Sequence, residues 1–122
     1  MTDIELKNLI RAGNYSANFD ELRANRCAVS AYKYGPAKQN FGRGYVNALG
    51  CVQKCIDKYK ETLNTEYLCD AANYIMFEFM YPSLEGARFT PTDSNASAGI
   101  DGISVREMEE LRNADSTYIP GQ

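Results

Sequence analysis

The sequence predicts an all-α fold: one compact helical domain over residues 1–122, built from four to five helices and carrying a long irregular C-terminal arm. Apolar residues recur at three- and four-residue spacing in several segments, which is the period of helices with one buried side. Helix-start residues precede most of these segments. The chain has 122 residues, of which 44% are apolar and 24% charged, and this suits one globular core.

Start and stop signals bound the first two predicted helices. The first covers residues 3–12, between a capping box and a glycine. The second begins at residue 16 or 18 and runs to about residue 32, ahead of a glycine–proline pair. The residues that give these signals are Thr2, Glu5 and Gly13 for the first helix, and Ser16, Asn18, Gly35 and Pro36 for the second.

The segment after the second helix, residues 33–44, reads KYGPAKQNFGRG. It has three glycines, one proline and no acid, which is typical of a loop whose backbone N–H groups can face a ligand. Its three cations, Lys33, Lys38 and Arg43, are therefore candidate phosphate contacts, and Tyr34 beside them is a candidate ligand contact.

Two longer helices follow, over residues 44–62 and 66–80, with Thr65 as the expected N-cap of the second. The sequence EYLCDAANYIMFEFM of the second helix is apolar on nearly all sides, which predicts burial. Pro82 ends it. Residues 83–103 are rich in turn-forming residues and predict a loop or arm. Ser104 and Glu107 then form a capping box for a short helix over 104–112, and 113–122 form a tail.

Charge is distributed unevenly along the chain. The net charge is −3, yet residues 23–60 hold eight basic residues and one acid, Asp57, for a local charge of +7. Such a block suits either an anionic ligand or a solvated basic face that is balanced by acidic neighbours. Lys54, on the third predicted helix, joins the candidate phosphate contacts.

Compartment and cysteine chemistry follow from what the sequence contains. The first residues do not resemble a signal peptide, and no segment is apolar enough to span a bilayer, so we expect a cytoplasmic protein without membrane contact. Cys27, Cys51, Cys55 and Cys69 are then expected as thiols. Buried thiols are favoured over a zinc site, because the spacing is unlike a zinc knuckle and the chain has no histidine.

Polar residues interrupt the apolar helix at 66–80 in one stripe. Glu66, Asp70 and Asn73 are spaced four and three apart, so they share one side of the helix. Two carboxylates one turn apart can hold Mg²⁺, and the Asn73 amide can hydrogen-bond a ligand. Alternatively, Asp70 pairs with a cation such as Arg26 or Lys54, and Asn73 is a satisfied buried amide.

The stretch from Ala28 to Met80, with KYG at 33–35 and ExxxDAANY at 66–74, resembles small phage and prophage relatives of the MazG-type all-α nucleoside triphosphate pyrophosphatases. The resemblance implies a helical homo-oligomer that binds Mg²⁺ through helix carboxylates and cleaves a nucleotide between its α and β phosphates. It assigns Glu66 and Asp70 as catalytic metal ligands. It assigns Lys33, Lys54 and Lys58 more loosely to the phosphates.

One family motif differs in this sequence. The second metal helix of that superfamily carries EExxE, whereas the corresponding stretch here offers only Asp57 and Glu61. A two-carboxylate site is a poor clamp for phosphoryl chemistry, so an alternative is a non-catalytic phage protein that sequesters a nucleotide, for instance a signalling nucleotide. Its base would stack on aromatic residues around the basic loop. These are Tyr32, Tyr34, Phe41 and Tyr45.

Nucleic acid is a third and less favoured class of partner. The +7 block would attract a phosphate backbone. However, the acidic overall pI of about 4.9 opposes nonspecific binding, and no nucleic-acid-binding motif is present.

Overall fold

The computed structural model describes residues 1–93 and 95–115, and these residues form helices and connecting loops without a strand. The helices are α1 (Asp3–Asn14), α2 (Ala17–Tyr34), α3 (Ala37–Asn40), α4 (Ala48–Thr62), α5 (Glu66–Met80) and α6 (Val105–Ala114). The all-α prediction is confirmed. None of the described helices combines the length and apolar character that a bilayer span requires.

The chain divides into two compact units. The core unit is Ser16–Arg88 and holds α2 to α5; the terminal unit combines Met1–Tyr15 with the residues from Phe89 onward, and holds α1 and α6. All candidate site residues lie in the core unit.

Both helices of the terminal unit begin at the predicted caps. In α1 the Thr2 hydroxyl accepts from the Glu5 amide at 3.2 Å, and the Glu5 carboxylate accepts from the Thr2 amide at 3.1 Å. Its helical geometry is interrupted at Ala12 and Gly13, and Gly13 has φ of 88°. In α6 the Ser104 hydroxyl accepts from the Glu107 amide at 3.1 Å. The described part of the arm over 83–103 contains no helix or strand, as predicted, and the last seven residues of the predicted tail lie outside the described residues.

Helix α2 has the predicted start and a later end. The Ser16 hydroxyl accepts from the Phe19 amide at 3.0 Å, which satisfies one of the free N–H groups of the first turn. The helix continues through Lys33 and Tyr34. It ends because Gly35 adopts φ of 87°, a left-handed conformation that favours glycine, and its amide donates back to the Ala31 carbonyl.

The predicted loop over 33–44 is wrong in two respects. Its first two residues belong to α2, and its middle forms the short helix α3, which begins after Pro36, whose carbonyl accepts from the Gln39 and Asn40 amides at 3.2 Å. The third long helix also begins later than predicted. It starts at Ala48 because the Asn47 side chain caps it, accepting from the Gly50 amide at 3.1 Å.

Helix α5 covers the predicted residues 66–80. The predicted N-cap Thr65 makes no side-chain capping bond. The preceding Asn64 replaces it, since its Oδ1 atom accepts from the Glu66 amide at 3.0 Å. At the other end, the Tyr81 amide donates to the Phe77 carbonyl and the chain leaves the helix before Pro82.

Helix α5 is the centre of the core unit, and both α4 and α2 pack along it. Among the described residues, the buried positions are Ala48, Cys55, Cys69, Ala71, Asn73 and Phe77. Most of these are small, so the core is narrow. The predicted burial of α5 on all sides is wrong for this chain by itself, because Ile75 and Phe79 are exposed.

Candidate functional site

An arginine on α2 binds both carboxylates of the predicted metal pair. Arg26 donates from Nε to Asp70 Oδ1 and from Nη2 to Asp70 Oδ2, each at 3.0 Å, in a two-pronged ion pair. Its Nη1 atom also lies 3.5 Å from Glu66 Oε1. The hydrogen bond to Asp70 is the main reason that the pKa of Arg26 lies above its ordinary value. The expectation that Asp70 pairs with Arg26 is confirmed.

Asn73 completes the contact between α2 and α5. Its side-chain amide donates to the Arg23 carbonyl at 2.7 Å, and the residue is only 4% exposed. Its Oδ1 atom has no hydrogen-bond partner among the residues that the structure describes. The predicted polar stripe of α5 therefore faces α2, where it joins two helices.

This arrangement bears on the magnesium prediction. Each Asp70 oxygen already accepts a charged hydrogen bond, so Mg²⁺ at this pair would have to compete with the Arg26 guanidinium for the two carboxylates. Within residues 1–93 and 95–115, no group of three or more potential metal ligands among Cys, Asp and Glu lies close together. The assignment of Glu66 and Asp70 as catalytic metal ligands stays a prediction.

A cavity of about 360 Å³ lies elsewhere in the core unit, and we call it the aromatic pocket. It opens between α2, α3, α4 and α5, and none of its walls carries an Asp, Glu, Lys or Arg. Small side chains at positions where the helices meet, such as Ala31 and Cys51, leave this volume unfilled. The lining residues are Cys27, Ser30, Ala31, Tyr34, Gly35, Ala37, Asn40, Phe41, Val46, Cys51, Tyr74 and Phe77.

Three stacked or edge-on rings form one wall of the aromatic pocket. Phe41 stacks on Phe77 with centroids 4.7 Å apart, and Tyr74 meets Phe41 edge-on at 6.1 Å. These distances are the ones that aromatic rings prefer. The wall is held in place from α3, because the Asn40 side chain donates to the Tyr34 carbonyl at 2.8 Å and fixes the turn that carries Phe41.

Burial raises the pKa of two titratable groups in the walls of the pocket, Tyr74 and Cys51. The pKa of Tyr74 is raised to about 12, mainly by desolvation, with the nearby thiols and Asp70 acting in the same direction. Desolvation likewise raises the pKa of Cys51, although the charge of Lys54 opposes it. Tyr74 therefore offers a protonated hydroxyl group. The pocket suits a planar, uncharged group that can stack and hydrogen-bond.

Three predicted phosphate contacts lie beside the aromatic pocket without lining it. Lys33 places its Nζ atom 5.0 Å from the ring centroid of Tyr34, which does line it. Lys38 lies in α3 between two lining residues, and the charge of Lys54 acts on the Cys51 thiol. In the part of the chain that the structure describes, no carboxylate lies within ion-pair distance of these lysines.

Arg43 lines a second cavity of about 380 Å³, which shares Phe41 and Val46 with the aromatic pocket. This cavity is more polar, and it includes Glu78. The Glu78 carboxylate accepts from the Ser83 amide at 2.6 Å and from its hydroxyl at 2.7 Å. A phosphate here would meet the arginine and a carboxylate together.

The predicted ligand residues thus fall into four groups. Tyr34 lines the aromatic pocket, the three lysines lie beside it, Arg43 lines the neighbouring cavity, and Asn73 lines neither. Of the four predicted stacking residues, only Tyr34 and Phe41 line the aromatic pocket; Tyr32 and Tyr45 are exposed. Sequence reasoning missed Tyr74 and Phe77, because the apolar residues on nearly all sides of this helix did not single them out.

Comparison of this chain with protein-family models, with curated proteins and with solved structures finds no significant match. The MazG resemblance therefore stays a prediction from the residues quoted for it.

Proposed function

We propose that this chain is a cytoplasmic helical protein that binds a nucleotide, or a related phosphate-bearing small molecule, and holds it without cleaving it. One observation carries the proposal: a cavity of about 360 Å³ with aromatic, uncharged walls has two lysines, Lys33 and Lys54, that interact with residues of its lining. Ligand pockets have about this size and this mostly apolar lining. A nucleotide needs an uncharged stacking surface for its base next to cations for its phosphates.

The base would occupy the ring-lined part of the cavity. Tyr34, Phe41 and Tyr74 offer faces or edges for stacking, and a stacked base gains about 1–3 kcal/mol per aromatic contact. The Tyr74 hydroxyl and the Ser30 hydroxyl supply hydrogen bonds to the edge of a base. Such contacts would favour one base over another more strongly than stacking does.

The phosphates would meet the lysines. Lys33, Lys38 and Lys54 each neighbour a residue of the pocket wall, and a lysine binds phosphate as a mobile point charge. The MazG resemblance supports the same class of ligand. It also underlies the homo-oligomer, which is part of the proposal.

Capture is better supported than cleavage because of Arg26. Cleaving a phosphoanhydride requires cations that neutralise the transferred group, and the acids predicted to hold Mg²⁺ are bound to an arginine instead. Hydrolysis at the α–β bond would require Mg²⁺ to compete with Arg26 for Glu66 and Asp70.

A binding experiment tests this proposal. The protein is titrated with nucleoside mono- and triphosphates and cyclic dinucleotides, in EDTA and in Mg²⁺, and the ligand is recovered for mass spectrometry. We expect binding of at least one member in EDTA and recovery of the unchanged ligand. Product formation in Mg²⁺ would replace capture with hydrolysis, and failure of the whole panel to bind would refute the proposal.

Two tyrosines of α2 provide a matched pair of variants. Tyr34→Ala removes a wall of the pocket, whereas Tyr32→Ala removes an exposed ring two residues away that does not line it. We expect Tyr34→Ala to weaken binding about tenfold, the loss of one stacking contact, and Tyr32→Ala to have no effect. Equal weakening by both variants would contradict the assigned pocket.

A further inference from the structure

The second cavity of the core unit has a charge pattern that suits a neutral, hydrogen-bonding group better than a phosphate. We call it the polar cavity. Its volume is about 380 Å³, and its two charged lining residues are Arg43 and Glu78. In the part of the chain that the structure describes, these two are not within ion-pair distance of each other. A group that enters between them must therefore accept from a guanidinium and donate to a carboxylate.

The Glu78 carboxylate is already held in one orientation. Its Oε2 atom accepts from the Ser83 amide at 2.6 Å, and its Oε1 atom accepts from the Ser83 hydroxyl at 2.7 Å. A carboxylate has about four acceptor positions, so each oxygen can accept a further hydrogen bond from a ligand. Because the orientation is fixed before a ligand arrives, little conformational entropy is lost when it binds.

The turn that carries Arg43 lies against the same end of α5. Phe41 stacks on Phe77, the residue before Glu78, with ring centroids 4.7 Å apart. A Cβ atom at Gly42 would lie 3.5 Å from Cδ1 of Tyr81, the residue that follows α5. These contacts bring the cation-bearing turn and the carboxylate to one cavity, although they are more than thirty residues apart in the sequence.

The polar cavity adjoins the aromatic pocket, because Phe41 and Val46 line both. In a nucleotide, the ribose is attached to the base by a single bond. A base that stacks beside Phe41 in the aromatic pocket therefore brings its sugar to the boundary with the polar cavity. The ribose hydroxyls are uncharged, and each can both donate and accept a hydrogen bond. They match the requirement set by Arg43 and Glu78.

We propose that the polar cavity binds the ribose of the nucleotide, with Glu78 accepting from the 2′-hydroxyl and Arg43 donating to a hydroxyl oxygen. Ribose binding rests on the proposed function, and it adds a substrate class: ribonucleotides are bound in preference to 2′-deoxyribonucleotides. A carboxylate that accepts from a ribose hydroxyl is a pairing that dinucleotide-binding sites also use. The phosphates are repelled by Glu78 and stay with the lysines beside the aromatic pocket.

Isothermal titration calorimetry on the wild-type chain tests the preference. The probes are the mono- and triphosphates of the four ribonucleosides and 3′,5′-cyclic dinucleotides, each with its 2′-deoxy form, in EDTA. We expect the ribo form of each ligand that binds to be about tenfold tighter, since the deoxy form lacks one hydrogen bond to a charged group. Equal affinity of ribo and deoxy forms would overturn ribose binding alone. Failure of every probe to bind would refute the proposed function as well.

Two acids near the end of α5 provide a matched pair of variants. Glu78→Ala removes the acceptor, whereas Glu85→Ala removes an exposed acid of the same loop that lines neither cavity. We expect the ribo preference to fall below about twofold in Glu78→Ala, to be intermediate in Glu78→Gln, whose amide oxygen still accepts, and to be unchanged in Glu85→Ala. A general loss of structure would weaken ribo and deoxy forms alike. A full preference in folded Glu78→Ala would overturn the assignment.

A modified ligand covers the case in which Glu78→Ala does not fold. A 2′-O-methyl ribonucleotide keeps the oxygen at the 2′ position but has no proton to donate to Glu78. On the wild-type chain it should bind at least about tenfold more weakly than the unmodified ribonucleotide. Equal affinity of the two ligands would show that no acceptor reads the 2′-hydroxyl, and it would overturn the proposal without any variant.

Discussion

The ion pair between Arg26 and Asp70 makes a prediction that separates a structural role from a metal site. The two groups make two hydrogen bonds of 3.0 Å each, with side-chain exposures of 35% for Arg26 and 16% for Asp70. Exposed pairs contribute about 0–1 kcal/mol, whereas breaking a fully buried pair destabilises by about 3–5 kcal/mol. This pair lies between those limits, so Arg26→Met should lower the free energy of unfolding by about 2 kcal/mol.

The assay is urea unfolding followed by circular dichroism at neutral pH, with thermal melts in parallel. A loss of about 2 kcal/mol corresponds to a fall of roughly 10 °C in Tm for a chain of this size. Asp70→Asn should destabilise by a similar amount, and the double variant should show a coupling energy of about 1 kcal/mol. Glu66→Gln should change stability by less than about 0.5 kcal/mol, because that contact is longer and more exposed.

The metal hypothesis predicts that Asp70→Asn raises the free energy of unfolding instead of lowering it. If Glu66 and Asp70 formed a vacant metal site, neutralising one of them would relieve their repulsion and raise stability. Lys58→Met, in the exposed pair of Lys58 with Glu61 on α4, is the control and should change stability by less than about 0.5 kcal/mol. If Asp70→Asn is more stable than the wild type, or if Arg26→Met is as stable as this control, the ion pair between Arg26 and Asp70 does not have the structural role assigned to it.

Three further predictions concern the core unit. The pKa of Tyr74 is raised to about 12, so the free energy of unfolding that this residue contributes below about pH 10 should be lost as the pH rises toward 12. Tyr74→Phe should reduce this alkaline loss when unfolding is measured from pH 9 to 12. The same dependence of stability on pH in the variant and the wild type would contradict it. Cys55 is buried and its pKa is raised, so its thiol should react with a thiol reagent more slowly than free cysteine does. Saturating nucleotide should slow the reaction of Cys51, which lines the aromatic pocket, and leave the reaction rate of Cys55 unchanged. Equal slowing of both thiols would argue against the assigned pocket. Gly42→Ala should destabilise by about 1–3 kcal/mol in urea, because its Cβ would collide with the Lys38 carbonyl, and a wild-type midpoint would show that the turn can adjust.

Most helices could be predicted because their boundaries depend on local chemistry. The Thr2 and Ser104 caps act on amides three residues away, so the short-range sequence contains the whole interaction. The same reasoning failed at α3 and at the start of α4. There Pro36 and Asn47 act as helix starts, although the glycines and cations around them favoured a continuous loop.

The candidate site was harder to predict because it depends on packing over long sequence distances. The stripe of Glu66, Asp70 and Asn73 was visible from spacing, and Arg26 was a plausible partner, but only the contact between α2 and α5 brings them together. The aromatic pocket joins α2 and α3 to Tyr74 and Phe77, more than thirty residues away. A sequence-level signal does exist: the small residues Cys27 and Ala31 are spaced four apart on α2, where they leave room between helices.

The proposal that a base enters the aromatic pocket is tested most directly by intermolecular nuclear Overhauser effects. Isotope-labelled protein is mixed with the tightest-binding nucleotide of the panel, and contacts from base protons to aromatic side chains are recorded. We predict contacts to the rings of Tyr34, Phe41 and Tyr74, and none to the exposed ring of Tyr32. Base contacts confined to residues outside the pocket, or a bound nucleotide without any aromatic contact, would contradict the account.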